Sequence, residues 1–219
     1  ILYLTLSNNL TIGKKVGCTN KDAQNQLNIS EPFYGNLFSR FSDISGCKLK
    51  SNNFYRPLLE PEISFRIKED ININKCPFTI SDASFLFDFI LPSIEIVDLR
   101  FGTNVKEIGI NNLVINNGAS EFYIQGSKYS KLNIIDLSNQ IVKLIINDEI
   151  VEKGNTSLVL DNPLNSAIWL INKLSILGEP MLKGQFISTG TCTKAVKLIK
   201  NSFIKADFGP LGCVEFEYI

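Results

Sequence analysis

Apolar positions along this chain recur mostly in short runs or at a spacing of two, and over one longer stretch at the helical spacing of three to four. The short runs predict strands over 63–67, 93–97, 113–115, 122–124, 141–146, 186–188, 203–207 and 213–218. Asn147-Asp148, between the apolar run 141–146 and a following segment 149–151, reads as the tight polar turn of a β-hairpin. The helical stretch is 163–177, where Leu164, Ala167, Ile168, Ile171, Leu174 and Ser175 share a mainly apolar face. Asp161 or Asn162 stands at its N-cap and Pro163 in its first turn, with Gly178 and Pro180 just past its end. Two shorter helices are expected, 20–27 with Asn20 as N-cap, and 82–91 between the capping Ser81 and the stop signal Pro92. Gly, Ser, Asp and Asn cluster over 39–53, which reads as a loop. Strands outnumber helices, and the helices are not regularly interposed between them. The pattern therefore predicts an α+β fold rather than a doubly wound parallel sheet.

Composition narrows the chemistry. The 219 residues carry 22 Lys+Arg against 22 Asp+Glu, a net charge of zero that gives no electrostatic reason to expect nucleic acid or an anionic membrane. Histidine is absent, which excludes Ser-His-Asp triads, Cys-His dyads and His-ligated metals together. Any metal must be held by carboxylates, thiolates or carbonyls. The five cysteines form no CxxC pair and read as scattered reduced thiols of a cytoplasmic protein. No apolar run approaches the roughly 20 residues of a membrane-spanning helix. The apolar start, 1–6, lacks the basic region and cleavage pattern of a signal peptide.

Carboxylates are the remaining candidates. Glu60-Pro61-Glu62 opens the strand 63–67, and residues two apart on an extended segment point to one face. Pro61 favours the extended conformation at Glu60. Two carboxylates side by side repel each other, so an exposed pair is unremarkable, whereas an inward pair needs a cation. Glu95, in an otherwise apolar strand, shares its face with Ser93 and Val97. Three such groups would make a hard oxygen site suited to Mg²⁺ or Mn²⁺.

Seven segments, in order, resemble those of the 2-keto-4-pentenoate hydratase family. Gly13-Lys14-Lys15-Val16-Gly17-Cys18-Thr19 resembles its GxKxGLT, and Pro32-Phe33-Tyr34-Gly35-Asn36-Leu37-Phe38 its PDYGxLF. Leu59-Glu60-Pro61-Glu62-Ile63-Ser64-Phe65 resembles ExEIAF, and Pro92-Ser93-Ile94-Glu95-Ile96-Val97-Asp98-Leu99-Arg100 resembles PALEIxDSR. Asn162-Pro163-Leu164-Asn165-Ser166-Ala167-Ile168-Trp169-Leu170 is similar to HPLNAxxWL. Leu177-Gly178-Glu179-Pro180 and Ile187-Ser188-Thr189-Gly190-Thr191 match LGEPL and ILTGT. The agreement runs from about Lys15 to the C-terminus.

The resemblance implies the mixed β-roll with flanking helices of the fumarylacetoacetate hydrolase C-terminal domain. It implies one catalytic domain over 1–219, with an N-terminal helical region of the family missing. It further implies Mg²⁺ or Mn²⁺ on Glu60, Glu62 and Glu95, and Lys15 as the acid–base group, its pKa lowered by burial beside the metal. Ser120, in a loop similar to the family's DNASSG, and Thr189, Gly190 and Thr191 are the expected substrate contacts. The implied reaction, in aromatic catabolism, is addition of water to 2-hydroxypenta-2,4-dienoate to give 4-hydroxy-2-oxopentanoate, by a cytoplasmic homo-oligomer. One departure bears on this. Phe33 stands where PDYG carries an acid thought to assist water addition, and Glu31 cannot be assumed to replace it. That gives weight to chemistry needing only metal and enolate, such as decarboxylation or tautomerisation, and to an inactive homologue acting as a binding subunit; the alternative reactions on the same scaffold are decarboxylation of a 2-oxo diacid and acylpyruvate hydrolysis. A diacid would need a second cationic contact, for which Arg56 and Arg100 are available.

Overall fold

The computed structural model describes residues 10–102, 104–126 and 136–219. The apolar start, 1–6, lies outside them. Thirteen strands and four α-helices are formed among the described residues. In chain order they are β1 (Thr11–Gly17), α1 (Lys21–Leu27), β2 (Phe33–Phe38), β3 (Ser42–Ile44), β4 (Lys48–Leu49), β5 (Pro57–Ile67), α2 (Ala83–Leu86) and β6 (Phe87–Asp98). There follow α3 (Val105–Ile115), β7 (Ser120–Gln125), β8 (Ile141–Ile146), β9 (Glu149–Asn155), α4 (Pro163–Ile176), β10 (Phe186–Thr191), β11 (Val196–Lys197), β12 (Ser202–Asp207) and β13 (Cys213–Tyr218).

The larger sheet runs β2-β1-β10-β5-β6-β7-β3, with β11 pairing β5; the smaller runs β4-β13-β12-β8-β9. Both are mixed. The pairs β1–β10, β3–β7 and β13–β4 are parallel and the rest antiparallel. This is the expected α+β class. One face of the larger sheet presents Leu59, Ile63, Phe65 and Ile67 of β5 with Ile94 and Ile96 of β6, all fully buried. They join the smaller sheet's Leu144, Ile204 and Phe216 and the apolar face of α4 in the main core. That helix begins as expected, with the Asn162 side chain accepting from the Leu164 N–H and Pro163 in the first turn. No helix among the described residues is long and apolar enough to cross a membrane.

Three expectations fail, each for a physical reason. Residues 82–91 do not form one helix: α2 ends at Leu86 and β6 starts at Phe87. The run Phe85–Leu91 is apolar at nearly every position, which suits a strand buried on both faces as well as a helix. Pro92 is not a stop but lies inside β6. Its carbonyl accepts from Gly126 N–H, just past the end of β7, so its missing N–H falls where the neighbouring strand has run out. Residues 113–115 are not a strand but the last turn of α3, which Asn104 caps and Gly109 interrupts with a positive φ. Strands β1 and β2, absent from the expected set, pair with each other beyond β10, with β1 next to it, and carry Lys15 and Phe33. The segment 39–53 is mostly turns, as expected, with the two- and three-residue strands β3 and β4 inside it.

Candidate metal centre

Strand register assembles the polar face of the larger sheet. Glu60 of β5 is the direct partner of Glu95 on β6, and Glu62 the partner of Ser93. Lys15 on β1 pairs with Ser188 on β10, and Ser188 with Ser64 on β5. With side chains alternating along each strand, Glu60, Glu62, Ser64, Ser93, Glu95, Ser188 and Lys15 all emerge on one face. Pro61 fits within β5 because its carbonyl accepts from Cys192 N–H at 2.7 Å, opposite the bulge of β10 between Ser188 and Thr191.

One oxygen from each of Glu60, Glu62 and Glu95 lies within 4.8 Å of the others. Glu62 and Glu95 are 0% and 1% exposed, and Glu60 is half-buried. Lys15, 2% exposed, places Nζ 3.2 Å from Glu95 Oε1 and donates a 3.0 Å hydrogen bond to Gly118 O. Glu62 Oε2 accepts from Ser188 Oγ at 2.6 Å and from Gly190 N at 3.0 Å. The other oxygen of Glu62 and Glu95 Oε1 are buried and accept no well-directed hydrogen bond.

Electrostatics follow from that crowding. Burial, then Glu95, raises the Glu60 carboxyl from its ordinary 4.5 to about 7, against the pull of Lys15. Burial raises Glu62 well above its ordinary value, with Glu95 and Glu60 adding and the Ser188 and Gly190 hydrogen bonds opposing. For Lys15, burial acts downward, the direction expected from sequence. The attraction of Glu95, Glu60 and Glu62 outweighs it and leaves the ammonium above its ordinary value. That direction belongs to the metal-free cluster, whereas the lowering expected from sequence is for a lysine beside a bound dication. Lys14, next along β1, points away and sits 3.8 Å from Glu179.

The loop after α3 holds Lys15 in place. Asn117 Oδ1 accepts from Asn36 N at 2.7 Å and its Nδ2 donates to Asn36 O at 2.9 Å, clasping the loop to β2. Gly118 has φ of +67°, and a Cβ there would fall 2.6 Å from Lys15 Nζ and 2.6 Å from the Phe33 ring. A cleft of about 630 Å³ opens at this point. Lys15, Glu60, Phe33 and Gly190 line it, together with an apolar set of Leu58, Val97, Leu99, Val105 and Leu113. The Phe33 ring centroid is 5.4 Å from Lys15 Nζ.

The expected substrate contacts divide. Gly190 and Thr191 line the cleft; Ser120 and Thr189 do not. The Thr189 hydroxyl is turned inward to Ile63 O at 2.8 Å, and the Gly190 N–H is taken by Glu62. The two arginines named for a second carboxylate also lie elsewhere. Arg56 donates to Gly102 O and packs over Tyr55, and Arg100 pairs with Glu121. Glu31 is exposed and bound to Lys173, so it does not take the place of an acid at Phe33.

No protein-family model matches the chain. A 4-oxalocrotonate decarboxylase of Pseudomonas putida is 31% identical over 211 residues, covering 96% of this chain and 78% of the relative. The chain belongs to the family of 2-keto-4-pentenoate hydratases and 4-oxalocrotonate decarboxylases. A second member, 2-keto-4-pentenoate hydratase 1 of Dechloromonas aromatica (strain RCB), is 31% identical over 204 residues, covering 93% of this chain and 76% of that one. The solved 4-oxalocrotonate decarboxylase from Pseudomonas putida G7, complexed with calcium and acetate, superposes with a TM-score of 0.90 at 28% identity, over all of this chain and 81% of that one. A fumarylpyruvate hydrolase from Pseudomonas aeruginosa, in complex with Mn²⁺ and pyruvate, shares the fold at 9% identity, with a TM-score of 0.71 over 94% of this chain and 88% of that one.

Against the family's segments, reading the sequence missed three site residues. Ser64, Ser93 and Ser188 stand where ExEIAF, PALEIxDSR and ILTGT carry Ala, Ala and Leu. They sit behind the carboxylates with Tyr123 of β7, and the signal was their even spacing from Glu62, Glu95 and Gly190.

Proposed function

We propose that this chain is a divalent-metal-dependent hydratase that adds water to a short 2-hydroxy-dienoate, of the 2-hydroxypenta-2,4-dienoate kind, to give the 4-hydroxy-2-oxo acid. The observation that carries the reading is the cluster of Glu60, Glu62 and Glu95 beside Lys15 at the head of an apolar cleft. The residues fit a metal. The donors are hard oxygens; Glu62 Oε1 is buried without a hydrogen bond, and Glu95 Oε1 has only the Lys15 ammonium, at 3.2 Å. Three carboxylates and one ammonium also leave a formal charge of minus two, which a dication neutralises. Glu60, Glu62 and Glu95 would hold Mg²⁺ or Mn²⁺, which when bound supplies Lewis-acid stabilisation of negative charge on the substrate's 2-oxygen.

The chain's own residues do the rest. Lys15, with Nζ 3.2 Å from Glu95 Oε1, is the acid–base group of this reading. Lys15 gives a proton to C5 and takes up the one the dienol hydroxyl loses, so the α,β-unsaturated ketone results with no net change at the lysine; water then adds its oxygen at C4 and one proton at C3, its other proton staying on the new C4 hydroxyl. Gly118 O and Glu95 fix the ammonium so that it reaches the substrate chain. The apolar wall accepts the hydrocarbon end and limits stray water. That wall favours a monoacid; Arg56 and Arg100 are engaged elsewhere, which leaves the exposed Lys21 and Lys194 as the cleft's further cations for a diacid. A place in aromatic catabolism, a cytoplasmic setting and a homo-oligomer belong to the same reading.

Phe33 favours a second reading. A phenyl ring moves no proton, so decarboxylation or tautomerisation, which need no water-activating acid, use the same residues without it. The experiment is one assay. With Mg²⁺ or Mn²⁺ present, loss of the ultraviolet absorbance of 2-hydroxypenta-2,4-dienoate with a gain of one water by mass supports hydration. Loss of carbon dioxide from a 2-oxo diacid, with no hydration, replaces it by the second reading. Metal binding without turnover of either substrate makes the chain a non-catalytic member.

A further inference from the structure

Behind the carboxylates lie four hydroxyls that the proposed chemistry does not use. Ser64, Ser93 and Ser188 are 0% exposed and Tyr123 is 1% exposed. Tyr123 Oη donates to Ser64 Oγ at 2.7 Å, Ser64 Oγ donates to Ser188 Oγ at 3.2 Å, and Ser188 Oγ donates to Glu62 Oε2 at 2.6 Å. Ser93 Oγ lies 2.8 Å from Ser64 Oγ, 3.4 Å from Ser188 Oγ and 3.3 Å from the Glu62 carbonyl, and its one proton can go to Ser64 or to that carbonyl. Each hydroxyl has one proton to give, and a carboxylate only accepts. The donations therefore run one way, from the phenol through two serines into Glu62. Gly190 N–H holds the same oxygen from a second direction. The result is a carboxylate with Oε2 fixed by two donors and Oε1 turned out of the network with no hydrogen bond.

Three serines at positions where the family's segments carry Ala, Ala and Leu would each, alone, bury a hydroxyl among apolar neighbours. Strand register instead brings all three together under Tyr123, where each supplies another's partner. A hydroxyl network of this kind polarises towards its terminal acceptor. We propose that Tyr123, Ser64 and Ser188 form a positioning relay that fixes the Glu62 carboxylate with one oxygen presented to the divalent cation. The relay is particular to this chain's serines and rests on the metal reading above. Groups that orient a ligand from behind typically account for a 10- to 100-fold difference in metal affinity (about one to two decades).

The test is calorimetric titration with Mn²⁺ of the parent chain, Tyr123→Phe and Ser188→Ala, with the melting temperature of each metal-free protein measured alongside. Tyr123→Phe removes one oxygen and keeps the ring, so it remains informative if Ser188→Ala does not fold. The expected result is tight binding by the parent, a loss of about 10-fold or more for Ser188→Ala, and a smaller loss in the same direction for Tyr123→Phe. Equal affinity of parent and Tyr123→Phe, whatever the melting temperatures, assigns these hydroxyls to packing and overturns the relay. No Mn²⁺ binding by the parent overturns the metal reading itself, and the relay with it.

Discussion

Crowding three carboxylates into one buried face makes stability depend on pH in a direction opposite to that of an ordinary surface acid. The Glu60 carboxyl is raised to about 7 in the folded protein from an ordinary 4.5. The folded state therefore holds its proton over a window in which the unfolded chain has already lost it. Stability falls as pH rises through that window, from about 4.5 to about 7, and the cost is absent below it. A shift of this size corresponds to about 3 kcal/mol for Glu60 alone at pH 8. For a chain of this length that is roughly 6–12 °C of melting temperature. Glu62 is raised as well and acts in the same direction. Metal ligation needs the deprotonated groups, so added Mg²⁺ acts where the cost is greatest. At a free concentration of 100 times the dissociation constant it adds about 2.7 kcal/mol, roughly 5–11 °C. The assay is differential scanning fluorimetry at pH 5 and pH 8, with and without Mg²⁺, on the parent and on Glu62→Gln. The parent is expected to melt lower at pH 8 than at pH 5 without metal, and to recover with Mg²⁺ at pH 8 far more than at pH 5. Glu62→Gln removes one charge from a repulsive cluster while its amide oxygen still accepts from Ser188. It is expected to flatten the pH dependence and abolish the metal response. An equal Mg²⁺ shift in Glu62→Gln and parent, or a parent melting temperature that does not fall between pH 5 and 8, would refute the reasoning.

Two further substitutions test the acid–base half of the site. Gly118→Ala puts a methyl 2.6 Å from Lys15 Nζ at a φ of +67°, and is expected to lower kcat by about 100-fold or more by displacing the lysine, with far-ultraviolet dichroism unchanged. Turnover within a few-fold of the parent would show that Lys15 need not sit against Gly118. Phe33→Asp restores the acid of the family's PDYG segment within reach of the cleft, and is expected to raise hydration of 2-hydroxypenta-2,4-dienoate by about 10-fold or more. No gain would show that water addition here does not wait on that position.

How much of this was legible in the sequence depended on which physical signal each element carried. The helix Pro163–Ile176 was readable because its cap, first-turn proline and apolar period agree. The hairpin of β8 and β9 was readable because Asn147-Asp148 adopts positive φ between two apolar runs. Residues 82–91 were not, because a run that is apolar at nearly every position has no period to distinguish strand from helix. Strand β1 was missed because Lys14 and Lys15 interrupt its apolar pattern. Only the fold shows that one points out and the other is 2% exposed. The face shared by Glu60 and Glu62 followed from a spacing of two. The meeting of Glu60 with Glu95 follows only from strand register, which places them opposite each other across β5 and β6. Thr189 shows the limit of motif reading. It lies within the matching ILTGT segment, yet its hydroxyl is spent on Ile63 O, because alternate residues of β10 face opposite sides of the sheet.

The same alternation explains why a cluster this unfavourable can persist. Each strand of the larger sheet that contributes a carboxylate to one face contributes isoleucine, leucine or phenylalanine to the other, so forming the apolar core fixes the position of the charges. A one-residue slip of β5 against β6 would bury Glu60 and Glu62 among Ile94 and Ile96 and expose Ile63, which makes the register steeply favoured. Pro61 and Pro92 reinforce it, since each sits only where a neighbouring strand bulges or ends. The carboxylates cannot relax apart without breaking that pairing. Their repulsion is therefore held in the folded state, where Lys15 offsets part of it and leaves two formal negative charges. A site held in place by its scaffold and short of two positive charges suits the divalent cation proposed above.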